Sequence, residues 1–192
     1  MRRAESEERE YQADFDAEER SRANEPRRKL AREMALALLK EQKVTAPEVD
    51  VDAIARALGL TVEYVEVDGK ISGQLYPDLR EIVVNTRGRS RGRQRFTLAH
   101  ELGHWRFRHH LLSELPPDTL GYAGAFEDEG SSEGRSNVEV EANTFAAELL
   151  MPSPWIRKIP KPLNLGAPHR LAETYGVSDQ AMYYQLMRCG RF

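Results

Sequence analysis

The chain has a single cysteine, Cys189, so no internal disulfide can brace it, which fits a reducing compartment. No stretch approaches the roughly 18 apolar residues of a membrane-spanning helix. The opening "MRRAESEERE" has none of the apolar core of a secretion signal. Neither sign of charge dominates: 28 Lys and Arg stand against 31 Asp and Glu, a formal net charge of −3. That balance removes the electrostatic case for general nucleic-acid affinity. The expectation is a soluble, cytoplasmic protein without a membrane role. Its 192 residues suffice for one ordinary core and a small appended unit.

Residues 1–25 are nearly all polar, with acids and bases mixed, and are expected to form a disordered arm or a solvated helix. "NEPRRKLAREMALALLKEQ" reads as a helix with Pro26 near its first turn and Leu30, Met34, Leu38 and Leu39 on one face. "VDAIARALG" is a short helix with Asp50 as its cap and Gly59 at its end. The period then changes: "TVEYVEV" alternates as a strand, and "KISGQLY" and "REIVVN" form a hairpin around Pro77 and Asp78. A long helix follows over about 93–109, then a loop over 112–137 rich in Pro, Gly, Ser and acids. "NVEVEANTFAAELLM" is a second strong helix, stopped by Pro152 and Pro154. The order predicts an α+β fold with a small sheet: a main domain over 26–160 and a helical segment over 161–192.

That last segment has a helix-turn-helix cadence around "YGVS". Its second helix, "SDQAMYYQL", has no Lys or Arg to meet phosphates or guanine. A structural or docking role is expected there, and direct nucleic-acid binding is not.

The chemistry concentrates in "RFTLAHELGHWRF". His100 and His104 are four apart, so a helix puts both on one face, within reach of a single ion. Glu101 is one step round, placed to touch a water on that ion. This is the H-E-x-x-H arrangement of zinc peptidases, with Glu101 as the catalytic carboxylate. The plain alternative is a structural helix carrying surface histidines. Gly103 weakens the helix by about 0.5–1 kcal/mol relative to alanine, which makes sense if a substrate or another backbone passes close by. The plain reading is a close contact between two helices.

A third ligand is needed downstream, and acids there are abundant. At about 100° per residue, Glu141, Thr144 and Glu148 cluster on one side of "VEVEANTFAAELLMP", read as the wet one. Glu139 and Asn143 lie on the apolar side with Ala142, Ala146, Leu149 and Leu150. Inward-facing polar groups want a reason. Glu139 is preferred to Glu141 as the metal ligand, with Asn143 supporting a ligating side chain from behind. A capping glutamate near the helix start is the alternative for Glu139.

Together "RQRFTLAHELGHW" and "EVEANTFAAELLMP" resemble the ImmA/IrrE family of metallopeptidases, and the similarity extends over roughly residues 27–188. The resemblance implies a zincin-like fold with a small twisted sheet and the H-E-x-x-H helix. It implies Zn²⁺ on His100, His104 and Glu139, with Mn²⁺ also tolerated by such a set. It further implies cleavage of a helix-turn-helix repressor of the Xre type, encoded nearby, relieving repression of stress-response or mobile-element genes. The competing reading is a repressor partner or toxin–antitoxin component that acts without hydrolysis. Family members often carry a histidine four residues after the second ligand. Here Arg108 stands in that place, followed by His109 and His110.

A peptidase also needs a donor to the developing oxyanion, and His109, His110 and Tyr183 are the candidates. "REIVVN" could take an extended substrate at an edge or be an ordinary internal strand. The arginines of "TRGRSRGRQRF" form either a basic rim or a flexible solvated loop.

Overall fold

The structure, a computed structural model, describes residues 26–69, 71–109, 137–164 and 166–192. The arm expected over 1–25, His110 and all but the last residue of the expected acidic loop lie outside the described residues.

Helix α1 spans Arg28–Glu41 and buries Ala31, Ala35, Leu38 and Leu39. The expected stripe is thus rotated by one residue: Leu30 is 38% exposed, and two alanines face inward. Small side chains on that face let α1 lie close along the later helix α4, with which it packs extensively. Helix α2, Val51–Ala57, is capped as expected, the Asp50 carboxylate accepting from the Ala53 amide at 2.9 Å. Gly59, at φ 73°, turns the chain out of it.

Strands β1 (Thr61–Val65), β2 (Gly73–Tyr76) and β3 (Glu81–Asn85) form one mixed sheet in the order β1-β3-β2. β1 runs parallel to β3, and β2 pairs antiparallel with it through the expected hairpin. The "REIVVN" strand is therefore central. The edge of the sheet nearest the histidine helix belongs to β2. Buried Asn85 shapes the β1–β2 connection, its amide donating to the carbonyls of Val67 and Ile71, both at 3.0 Å.

Helix α3, Arg91–Phe107, starts two residues earlier than expected because Ser90 caps it, accepting from the Arg93 amide at 3.3 Å. It stops short of His109 because Arg108 takes a left-handed backbone, φ 55°. Helix α4 spans Asn137–Leu150, and α5, Ser153–Ile156, follows at once. The last pair, α6 (Ala167–Tyr175) and α7 (Asp179–Arg188), turns at left-handed Gly176, and Ser178 caps α7. Ala172, Tyr175, Ala181, Met182 and Leu186 of that pair enter the same core as Leu102, Phe145 and Leu149. The whole is an α+β zincin-like fold: a small sheet against the histidine helix, with helices closing the other side.

Gly103 has its explanation in the α3–α4 contact. A Cβ there would lie 3.0 Å from the Ala142 Cα, 3.2 Å from the Ala142 carbonyl oxygen and 3.3 Å from the Phe145 ring. It is the partner helix's backbone that comes close. Gly103→Ala should therefore lower the melting temperature despite alanine's better helix propensity, by a net cost of about 1–3 kcal/mol from overpacking. An unchanged or raised melting temperature would show that the two helices can part freely.

Candidate metal centre

Three donors converge from two helices. His100 and His104 project from one face of α3, and Glu139 reaches across from the first turn of α4. Their ligand atoms all lie within 4.8 Å of one another. The two imidazole Nε2 atoms are 2.9 Å apart, and each lies 3.2 Å from one oxygen of the Glu139 carboxylate. A tetrahedron with bonds of about 2.0 Å has edges of about 3.3 Å, so the triangle is the size that one small cation would bridge. Both histidines are fully buried, and apart from these two imidazoles neither Glu139 oxygen has a partner among the described residues. A buried carboxylate facing only two imidazoles, which are neutral when they act as ligands, is expensive. A divalent cation resolves that cost, and the His₂Glu donor set suits zinc.

The titration behaviour of Glu139 and His104 agrees. Burial alone would raise Glu139, but the two imidazoles beside it reverse this and hold it at about 2, so it stays ionised. Burial pushes His104 down to about 4, leaving it neutral as a ligand must be. Burial would lower His100 as well, but the adjacent Glu139 turns the net shift upward. Glu101, one step round the helix, is fully buried, and among the described residues no side chain bonds either of its oxygens. Burial raises it to about 8, with His100 pulling the other way. A carboxyl group near neutrality beside a metal triad is suited to taking and returning a proton.

Residues 55–187 match the peptidase family described as IrrE N-terminal-like domain. The chain belongs to that family. A solved structure, a Mycobacterium tuberculosis transcriptional regulator, is similar with a TM-score of 0.54 at 18% identity. The match covers 81% of this chain and 46% of that one, so this chain spans about half the length of its structural neighbour, and the likeness is one of fold. No significant match is found among curated proteins.

Around this IrrE-like triad the polar side chains are arranged more deeply than the sequence suggested. Asn143 lies behind His100, its Oδ1 3.0 Å from Nδ1. The face of α4 expected to be wet is buried: Glu141 is 2% exposed, Thr144 8% and Glu148 0%. Helical angles could not reveal this, because α4 is enclosed on both sides and its acids are neutralised by partners distant in sequence. Glu148 accepts from the amide and hydroxyl of Ser153, at 2.7 and 2.6 Å, and pairs with Arg188 at 2.9 Å. Glu141 pairs with Arg27 at 2.7 Å and with His109 at 3.0 Å.

The arginine run is neither a loose loop nor a simple rim. Arg91 and buried Arg95 lie in α3 and share Glu48, at 2.6 and 2.7 Å. Arg95 also donates to the carbonyls of Val49 at 2.7 Å and Gly176 at 3.0 Å, bolting the start of the metal helix to the α6–α7 turn. Arg89 donates to the Ile71 carbonyl at 3.0 Å, and Arg87 pairs with Asp68 at 3.1 Å. Tyr183 is 46% exposed on α7, where its ring meets Tyr184 and Phe192. Nothing in the described residues draws it toward the triad.

Added zinc should raise the melting temperature of the parent chain, as a ligand held only by the folded state does. Glu139→Ala should retain the helical circular-dichroism signal yet lose both this rise and the bound zinc measured after dialysis. A Glu139→Ala protein that still carries its full complement of zinc would remove Glu139 from the ligand set.

Proposed function

We propose that this chain is a zinc-dependent endopeptidase of the cytoplasm, and that its substrate is a helix-turn-helix repressor of the Xre type encoded nearby. The observation that carries the reading is the pairing of a buried His₂Glu donor triangle with an adjacent buried carboxyl, Glu101, that no described side chain bonds. A pure binding scaffold has no use for that second acid. No helix among the described residues is long and apolar enough to cross a membrane.

A bound zinc ion would polarise a peptide carbonyl and bring the pKa of a water it holds toward about 7. The chain's own residues do the rest. His100, His104 and Glu139 orient the centre, and Asn143 holds the His100 ring by its far nitrogen. Glu101 takes a proton at its carboxylate and returns it to the leaving amine. The outer edge of β2 is suited to seat an extended peptide by strand addition. β2 passes directly over the acid: a Cβ at Gly73 would lie 3.6 Å from Glu101 Oε1 and would collide with Thr97. The repressor as substrate, and relief of stress-response or mobile-element genes as outcome, are supported by the family to which the chain belongs.

Glu101→Gln is the decisive variant. It should bind zinc as the parent does and lose cleavage of the neighbouring repressor, by a factor of about 10²–10⁴ for removal of a general base. Chelation of the parent should abolish cleavage, and zinc should restore it. If the repressor forms a stable complex with the parent and is never cut, the protein is a binding partner on a peptidase scaffold.

A further inference from the structure

A chain of hydrogen bonds leads from His104 to the protein surface. His104 Nδ1 lies 2.9 Å from Nδ1 of His109, and His109 Nε2 lies 3.0 Å from Glu141 Oε2. Glu141 Oε1 in turn accepts from the Arg27 backbone amide and from its Nε, both at 2.8 Å, and Oε2 accepts from Nη2 at 2.7 Å. His109 and Glu141 are buried, whereas the Arg27 side chain is 53% exposed. Both ring nitrogens of His109 are engaged, which leaves none for a reacting oxyanion.

The protons in this chain can be placed in one order only if His104 is to bind a cation. His104 must keep Nε2 bare, so its proton sits on Nδ1 and is donated to His109 Nδ1. His109 then carries its own proton on Nε2 and donates it to Glu141. The opposite order would protonate His104 at Nε2 and forbid ligation. An acceptor-only carboxylate at the end of the chain selects the competent order, because it takes a proton donor and nothing else. Arg27 occupies the remaining sites on that carboxylate and holds it in place with a two-pronged contact.

The backbone is shaped for this. Five residues along a continuous helix would put His109 about 140° away from His104. The left-handed Arg108 ends α3 and swings His109 back beneath it. Phe107 stacks on the His109 ring with centroids 5.0 Å apart, and the Arg27 guanidinium lies 5.1 Å from the Phe107 centroid. His100 has a simpler support, the neutral amide of Asn143.

We infer that His109, Glu141 and Arg27 are positioning residues that fix the tautomer and orientation of His104, tying the metal centre to the N-terminal end of α1. The inference rests on the metal reading of the triad, though not on peptide hydrolysis itself.

The test uses the full chain and three readouts: zinc affinity by chelator competition, the visible spectrum of the Co²⁺-substituted protein, and metal-free melting. His109→Phe keeps a ring against Phe107 but removes both nitrogens. It and Glu141→Gln should weaken zinc binding about 10–100-fold, the range for groups that support a metal ligand, and should shift the Co²⁺ bands. Arg27→Ala should weaken it less, with partial recovery in Arg27→Lys. Zinc affinity within about twofold of the parent together with unchanged Co²⁺ bands would overturn the inference, even if metal-free melting fell, since the arm would then be packing alone. If His109→Phe and Glu141→Gln fail to fold, the half-exposed Arg27 variants decide by the same measures. A parent that binds zinc but never cuts the repressor would defeat the proposed function and leave this inference standing.

Discussion

The close crossing of α3 and α4 at Gly103 and Ala142 is the contact on which the rest depends. Two imidazoles on one helix face can hold an ion only loosely, and the third donor comes from a helix that starts 33 residues after His104. With no Cβ at position 103, the α4 backbone approaches to a distance that an alanine would meet only by pushing the helices apart a few tenths of an ångström. That approach puts Glu139 between the two Nε2 atoms and Asn143 behind His100. A helix-weakening glycine inside an apolar segment is thus offset by the geometry it permits.

Around that crossing the protein buries Arg95, Glu101, Glu139, Glu141 and Glu148, and each has a distinct reason to be there. Among the described residues Glu139 meets only the two imidazoles and Glu101 bonds no side chain at all, which leaves them open to the cation and the proton of the proposed reaction. Glu141 and Glu148 are saturated by Arg27, His109, Ser153 and Arg188, and Arg95 by Glu48 and two carbonyls. Glu139 and Glu101 face no described arginine, whereas Glu141, Glu148 and Glu48 each meet at least one. Those arginine pairs also explain why α4 buries both of its faces: it is pressed between α1 and α3, and its acids anchor both ends of the described chain to the core.

Much of the site was legible in the sequence because helical periodicity is local. The four-residue spacing of His100 and His104 needs only a helix to place both on one face, and the inward position of Glu139 and Asn143 follows from about 100° per residue. The same reasoning misassigned Glu141, Thr144 and Glu148, since angular position says which side a residue is on but not whether that side meets water. It likewise favoured Leu30 and Met34 for the core, where the structure uses Ala31 and Ala35 to bring α1 close. His109 was noticed for its chemistry but not for its partners, because a helix was expected to continue through Arg108 and the left-handed turn there redirects it.

By itself the sequence determined the identity and spacing of the metal donors, the acid beside them, the order of elements and the hairpin, all of which depend on neighbours a few residues apart. Only the tertiary structure decided that β3 lies inside the sheet and β2 at its edge, that both faces of α4 are buried, and that Arg27 reaches the metal centre through Glu141 and His109. Those facts join residues up to 114 positions apart. No local period encodes such pairings; they follow from which surfaces the folded chain can bring together without leaving a charge unpaired.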